Sequence, residues 1–261
     1  MARFKVFLEY EGTRYSGWQT QNNARTVQGE ISAAVRRLFD NQAFQFQGAG
    51  RTDAGVHALR QVAHLDVTTV LAPEIIRMKL NDLLPADINI LEVEKTHPRF
   101  HARHDAVSRS YLYQIARRRT AFGKRYVWWI KEDLNVGAMR RAAALFVGMK
   151  NFQSFTDDDP EERSTTVLVE NTSIHEHGDL LVLQFRGSHF LWKMVRRVVG
   201  VIAAVGRGTL APDDVKRFLN EKVDHPTHLT APPSGLFLER VYYRGDTIEQ
   251  NPPPVLNIAH G

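Results

Sequence analysis

The stretch Phe4-Lys5-Val6-Phe7-Leu8-Glu9-Tyr10 places an apolar side chain at every second position, which is typical of a half-buried β-strand. Thr26 is suited to cap a helix whose apolar positions fall on one face: Val27, Ile31, Ala34, Val35 and Leu38. The elements that follow are strands near 43–47 and 61–67, a helix opened by Pro73 and a strand at 88–93. The first part of the chain therefore predicts the order βαββαβ.

The second part of the chain repeats this order of elements. They are a strand at 107–115, a helix at 133–148 capped by Asp133, strands near 165–173 and 180–186, helices at 190–206 and from Pro212, and a strand at 236–243. We therefore predict an α+β protein of two ferredoxin-like (βαββαβ) halves, whose mixed or antiparallel sheets form a central cleft. The predicted division is 1–105, 106–245 and an extended tail at 246–261.

The composition is typical of a soluble globular protein. Of the 261 residues, 43% are hydrophobic, and no segment approaches the ~20 uninterrupted apolar residues of a transmembrane helix. The first residues lead directly into strand-like alternation, so we expect no signal peptide. The absence of cysteine excludes disulfides and thiolate metal sites. These features predict a cytoplasmic protein without a membrane partner.

The positive charge is concentrated in two acid-free stretches. The net charge is +5, and residues 106–131 contain seven Lys or Arg with six interleaved Tyr, Phe or Trp. The second stretch, 180–212, contains five further cations. Charge runs are often only solvated faces, but cations mixed with aromatic residues favour nucleic acid, which offers phosphates and stackable bases. The chain is therefore expected to bind a nucleic acid.

The segment Gly48-Ala49-Gly50-Arg51-Thr52-Asp53-Ala54-Gly55-Val56-His57-Ala58 is the strongest candidate for a reactive site. Its three glycines allow tight turns and a close approach to a ligand. Arg51 lies two residues from Asp53, which favours an ionised carboxylate facing whatever binds above the loop. Taken by itself, this spacing also fits an Asp that only caps its own turn.

This segment resembles the catalytic loop of the tRNA pseudouridine synthase family of the TruA type, in which the Asp is the essential nucleophile. The stretches at 100–113 and 190–200 resemble the second and third motifs of that family. Shorter matches are Gly17-Trp18-Gln19, Thr26-Val27-Gln28, Phe152-Gln153-Ser154-Phe155 and Ala231-Pro232-Pro233-Ser234-Gly235-Leu236. The resemblance therefore covers nearly the whole chain.

The resemblance assigns roles to four residues. Asp53 is the catalytic nucleophile, and Tyr111 packs on the target uracil. Arg196 pairs with the catalytic Asp, and Arg51 occupies the space that the flipped nucleotide leaves, although Arg51 also fits a simple ion partner for Asp53. Tyr113 lies on the same strand face as Tyr111 and is the better candidate for a core position. Contacts with the RNA backbone are expected from six cations: Arg109, Arg117, Arg118, Arg119, Lys193 and Arg197.

The resemblance implies an isomerase that converts uridine to pseudouridine in the anticodon stem-loop of tRNA, at positions 38, 39 and 40. It also implies a homodimer that binds tRNA in the central cleft and uses no cofactor. The carboxylate can attack either C1′ of the ribose or the pyrimidine ring, and the sequence leaves both routes open. The alternatives are a non-catalytic tRNA-binding or folding protein on the same scaffold and a glycosidase, which needs a second carboxylate near the first.

Two other clusters carry weaker signals. The acidic run at 157–162 holds five carboxylates and would repel RNA, so we expect it to point away from the RNA or to narrow the substrate range. His97, His101 and His104 have ligand-like spacing, but Pro98 interrupts a helix there. No metal site is predicted.

Overall fold

The computed structural model describes residues 1–159, 161–162, 164–248 and 252–255. The chain forms two compact units. The first comprises Met1–Val107 and Phe237–Asp246, and the second comprises Ser108–Leu236 and the described residues that follow Asp246. Both units combine helices with a mixed sheet, which confirms the predicted α+β class. Of the predicted tail, the structure describes 246–248 and 252–255.

The first unit is built on five strands and two helices. These are β1 (Ala2–Tyr10), α1 (Val27–Leu38), β2 (Gln45–Gly48), β3 (His57–Val67), α2 (Pro73–Leu83), β4 (Ile88–Lys95) and the late strand β10 (Leu236–Tyr243). The strands β4, β1 and β3 lie side by side and antiparallel. On the other side of β3, β2 pairs antiparallel with its second half, whereas β10 pairs parallel with its first two residues. The strand β3 therefore changes its partner along its length.

The local predictions for this unit are confirmed, with small shifts at the strand ends. The Thr26 side chain accepts a hydrogen bond from Gly29 N at 3.2 Å and so caps α1. The strand β3 begins at His57, four residues before the predicted start, because its first residues pair with β10, nearly 180 residues later in the chain. A pairing at that distance leaves no local signal in the sequence. Phe7, on the face of β1 opposite to the alternating residues, is covered by Lys5 and Arg60 at 4.7 and 4.3 Å from its ring.

The second unit has the antiparallel strand order β5-β9-β8-β7, with β6 parallel to the end of β5. Its elements are β5 (Ala106–Ala116), β6 (Trp128–Trp129), α3 (Val136–Ala144), β7 (Gly148–Asn151), β8 (Thr166–His177), β9 (Leu180–Gly187), α4 (Met194–Gly206), α5 (Pro212–Asn220) and α6 (His225–His228). The helix α4 is buried on nearly every side, from Met194 to Gly206. No helix among the described residues is long and apolar enough to cross a membrane.

Two helix starts in the second unit differ from the prediction. The cap of α3 is Asn135, whose Oδ1 accepts a hydrogen bond from Ala138 N at 2.9 Å, and the predicted cap Asp133 lies outside the helix. The helix α4 begins at Met194, four residues after the predicted start, because Lys193 has a left-handed backbone with φ of 60°. A left-handed residue interrupts the helical hydrogen-bond pattern, and it cannot be identified from residue type when the residue is a lysine.

A buried histidine on β3 makes the stability of the first unit depend on pH. His64 is 2% exposed, and its Nδ1 accepts a hydrogen bond from Ala102 N at 3.2 Å. Burial, followed by repulsion from Arg3, lowers the pKa of His64 from 6.5 to about 4. The folded protein therefore holds this imidazole neutral where the unfolded chain protonates it.

We expect the free energy of unfolding to fall as pH drops from 6.5 to about 4. In this window the unfolded state binds the proton and the folded state does not, so stability rises with pH. The difference between the two pKa values gives an upper bound of about 3 kcal/mol for this residue. His64→Asn retains an acceptor for Ala102 N and should flatten the dependence measured by urea unfolding between pH 4.5 and 7. His97→Asn, at an exposed position, is the control and should leave the curve unchanged.

Candidate active site

The loop that carries Asp53 leaves the sheet where β3 changes its partner. The last residue of β2, Gly48, pairs with Ala63, and Ala49 N donates to Val62 O at 2.7 Å. The chain then departs from β3 and returns at His57, which pairs with Phe237 of β10. Residues 50–56 therefore project from one place on the sheet, anchored by a strand at each end.

Backbone and side-chain hydrogen bonds hold this loop from beneath. The hydroxyls of Tyr10 and Thr52 share a hydrogen bond at 2.9 Å, and Thr52 O accepts from Trp18 N at 3.0 Å. Gly55 N donates to Tyr15 O at 3.2 Å. Thr52 is 7% exposed, whereas Asp53 is half-buried beside it. These hydrogen bonds hold the backbone on both sides of Asp53, and Asp53 itself is only half-buried.

Two glycines allow the preceding segment to approach the loop. Gly17 has φ of 89°, and a Cβ there would lie 2.7 Å from Thr52 O. A Cβ on Gly12 would collide with the carbonyl of Val56. Both contacts involve backbone atoms, which cannot rotate away as a side chain can. The Asp53 loop therefore requires glycine at these two positions.

Trp18 supports the Asp53 loop through its backbone hydrogen bond to Thr52, a role that the sequence analysis did not predict. Its side chain is 2% exposed and packs between Tyr10 and Phe46, with ring centroids 5.9 and 6.1 Å apart. Gln28 Nε2 donates to Phe46 O at 3.0 Å and Gln28 N donates to Trp18 O at 3.0 Å. The resemblance already included both residues as matches, but no local pattern in the sequence indicates what they support.

Gly17→Ala should destabilise the first unit by about 1–3 kcal/mol, because it combines a strained positive φ with a Cβ against a loop carbonyl. Gly50→Ala is the matched control, since a Cβ on this loop residue meets no atom within 4 Å. The control should stay within about 0.5 kcal/mol of the parent protein in chemical unfolding. Equal stability of the two variants would show that the loop is not held as described.

The predicted uracil-stacking residue lies on β5 in the second unit. Tyr111 is 9% exposed and meets Phe190 edge to face, with ring centroids 5.1 Å apart. Tyr113 is fully buried, and its hydroxyl donates to Pro232 O at 2.8 Å, which confirms its predicted core position. Burial raises the pKa of Tyr113 well above its ordinary value, although the positive charge of Arg196 acts against this. Arg196 therefore lies close enough to Tyr113 for its charge to act on that hydroxyl.

Arg196 is held by the segment that follows α6. Its Nε donates to Ala231 O at 2.7 Å, and its backbone oxygen accepts from Ala231 N at 3.1 Å. The side chain is half-buried. These two hydrogen bonds fix both the backbone and the guanidinium of Arg196.

The predicted site residues belong to both units. Asp53 and Arg51 lie on one loop of the first unit, and Tyr111, Tyr113 and Arg196 belong to the second unit. The Arg51 side chain is exposed and makes no ion pair or hydrogen bond with any residue that the structure describes. The simple alternative, an ion pair between Arg51 and Asp53, is therefore not formed in this structure.

Most of the cations predicted to contact RNA have protein partners. Arg109 donates to Ser188 O at 2.9 Å, Arg117 pairs with Glu176 at 3.1 Å, and Arg118 pairs with Asp179 at 2.9 Å. Exposed ion pairs such as the last two are weak, so these arginines can exchange a carboxylate for a phosphate. Arg119 is exposed and lines a surface cavity of about 720 Å³ with Lys124 and Trp129.

The expectation for Arg197 needs correction. Its side chain is 2% exposed and pairs with Asp157, so it has no surface to offer to an RNA phosphate. The same carboxylate binds Lys193 Nζ at 2.7 Å. One residue of the acidic run, Asp157, therefore pairs with two of the predicted RNA-binding cations, a contact that the charge pattern alone could not show.

Comparison with known proteins gives one consistent result. A protein-family model described as "tRNA pseudouridine synthase" matches residues 6–105 and 142–244. A protein named tRNA pseudouridine synthase A from Exiguobacterium sibiricum is 37% identical over 243 residues, which are 93% of this chain and 97% of that protein. Its namesake from Bartonella tribocorum is 38% identical over 248 residues, which are 93% of this chain and 100% of that protein.

A likeness to a solved structure is much weaker. The chain superposes on the structure titled "Crystal Structure of a Cbf5-Nop10-Gar1 Complex" with a TM-score of 0.33 and 10% sequence identity. The match covers 76% of this chain and 54% of that one.

Proposed function

Because this chain belongs to the tRNA pseudouridine synthase family, whose members are isomerases that convert uridine to pseudouridine in tRNA, we propose that it acts on the anticodon stem-loop with Asp53 as nucleophile. Positions 38, 39 and 40 are the targets that the resemblance implies. The observation that carries this proposal is that Asp53 is half-buried on a loop whose preceding residue, Thr52, is buried and held by hydrogen bonds.

The reaction needs only what these residues can supply. The C1′–N1 bond breaks, the uracil turns, and a C1′–C5 bond forms, while C5 loses a proton and N1 gains one. No electrons enter or leave, so the substrate and product are isomers. The Asp53 carboxylate adds either to C1′ or to the ring and departs when the new bond is complete. Because a fixed carboxylate has little orientation to lose, its rigid loop favours either route.

The remaining roles follow from where the side chains lie. A base buried in a helix must leave the stack before a carboxylate can reach it. Arg51, exposed on the Asp53 loop, is proposed to fill the vacated space. Tyr111 is proposed to stack on the uracil, with Phe190 holding its ring, and Arg196 to be the cation that balances the Asp53 charge. These three assignments rest on the resemblance together with the local contacts of each residue.

Asp53→Asn should reduce turnover on the order of a thousandfold or more, because it keeps the shape but removes the attacking charge. Asp53→Glu moves the carboxylate by about one C–C bond and should cost on the order of a hundredfold. Pseudouridine formation in unmodified tRNA is the measurement, with tRNA binding as the parallel readout. Both variants should bind tRNA as the parent does.

The control is Asp40→Asn, since Asp40 is exposed and its φ of 48° suits asparagine. An Asp53→Asn enzyme within tenfold of the parent would contradict the assignment and leave the turn-capping role of Asp53. It would also favour the alternative, a tRNA-binding or folding protein without catalytic activity.

We propose that the arginine cluster at 117–119 contacts tRNA phosphates. Changing all three residues to Ala should weaken binding to any tRNA and reduce the log–log salt slope by roughly one to three units. The double variant Lys216→Ala/Arg217→Ala, on the exposed face of α5, is the control. A slope that stays unchanged in the triple variant would place the cluster away from the RNA.

Three further assignments are proposals of the same kind. The order β4-β1-β3-β2 with antiparallel neighbours supports a ferredoxin-like first half, and β5-β9-β8 supports a related second half. A homodimer is implied by the resemblance, and light scattering that returns twice the mass of one chain would support it. A cytoplasmic location fits an enzyme that acts on tRNA.

A further inference from the structure

The helix α4 starts in an unusual way. Lys193, the residue before its first turn, has φ of 60° and does not cap the helix with its own side chain. Asp158 Oδ2 accepts a hydrogen bond from Trp192 N at 2.9 Å, and Asp157 Oδ2 binds Lys193 Nζ at 2.7 Å. The beginning of the acidic run is therefore folded against the start of α4.

Asp157 is tied to a buried charge on the same helix. Arg197 is 1% exposed, its Nη2 pairs with Asp157 Oδ1, and its Nε has no hydrogen-bond partner among the described residues. A guanidinium this deeply buried needs a compensating carboxylate. Burial acts to raise the pKa of Asp157, but the hydrogen bonds from Lys193 and Arg197 outweigh it and hold that pKa below its ordinary value.

Arg196 lies between these two partners of Asp157. Lys193 and Arg197 are one helical turn apart, on the side of α4 that faces Asp157, whereas Arg196 is directed to Ala231. The first turn of α4 is thus fixed by Asp157 on one side and by the Ala231 backbone on the other. A rotation of this turn would carry the Arg196 guanidinium with it.

We propose that Asp157 is a positioning residue for the isomerisation: its carboxylate locks Lys193 and Arg197 and so sets where Arg196 is presented. The proposal rests on the role proposed above for Arg196. The start of the acidic run, which the sequence predicts to point away from the RNA or to narrow the substrate range, would then act through the helix. A misplacement of a catalytic group by about 1 Å can reduce turnover on the order of a hundredfold.

The test compares Asp157→Asn, which removes the charge and keeps the shape, with Asp157→Glu, which keeps the charge. Single-turnover pseudouridine formation is measured per tRNA-binding-competent enzyme, so that unfolded protein does not count. Asp157→Asn should reduce this rate by about ten- to a hundredfold with tRNA Kd within about twofold, and Asp157→Glu should recover most of the rate. A purely structural role would lower the competent fraction and leave the rate per competent enzyme unchanged.

The matched control is Asp159→Asn in the same run, since Asp159 is exposed and, among the residues that the structure describes, its carboxylate accepts a hydrogen bond only from the local Glu161 N, at 2.9 Å. If Asp157→Asn does not fold, Asp157→Asn/Arg197→Met removes the unpaired buried charge, and apolar replacement of a buried pair is usually tolerated. That double variant should still show a reduced rate of pseudouridine formation, because Lys193 has lost its ion pair with Asp157.

A rate within twofold of the parent in Asp157→Asn, or in the double variant where the single one does not fold, would overturn the proposal. A loss that appears in tRNA Kd instead of the rate would overturn it as well. The variant Arg196→Ala distinguishes a failure of the role proposed for Arg196 from a failure of the positioning role proposed for Asp157. If Arg196→Ala is fully active, the proposed role of Arg196 fails, whereas an inactive Arg196→Ala beside an active Asp157→Asn refutes only the positioning by Asp157.

Discussion

The position of the Asp53 loop in the first unit depends on one constraint, the hydrogen bonds that hold the buried residue Thr52. Its carbonyl accepts a backbone hydrogen bond from Trp18, and its hydroxyl is bonded to Tyr10 at the end of β1. A buried polar residue with these contacts cannot move without losing them, which costs more than an exposed loop residue would lose. Because Asp53 is the next residue in the chain, its backbone is held by the same contacts, while the residue itself stays half-buried. The residue proposed as the nucleophile therefore follows directly after the residue that holds the loop.

The second unit uses charge in a comparable way. Arg196 and Arg197 are adjacent in sequence, yet α4 directs them to different surroundings: one to the Ala231 carbonyl and one to the Asp157 carboxylate. The buried member of the pair is compensated by an acid, and the half-buried member keeps part of its surface. Because a buried guanidinium without its carboxylate is strongly disfavoured, the packing of α4 and the contact with the acidic run depend on each other. The charge pattern at 157–162 is therefore partly structural.

Cations at the surface of the second unit belong to a different class. Arg117 and Arg118 make exposed ion pairs, which contribute little to folding and are screened by salt. Such arginines remain available to a polyanion, since a phosphate can replace a carboxylate at small cost. Burial, rather than sequence position, decides which arginines serve the fold and which can serve a ligand.

The sequence by itself determined most of the strands and helices and the chemical candidates, although it did not predict β6, β7 or α6. Alternation predicted β1 and Thr26 predicted the start of α1, because these signals lie within one turn or one strand of the residue concerned. Asp53 became a candidate because the whole segment at 48–58 resembles a known catalytic loop, since its spacing also fits a turn cap. Only the tertiary structure decided that β3 begins at His57 against β10, that Trp18 supports Thr52, and that Arg197 is buried against Asp157. Each of these contacts joins residues far apart in the chain. The partner of a buried group is chosen by packing and charge compensation in space, for which the local pattern of residues carries no signal.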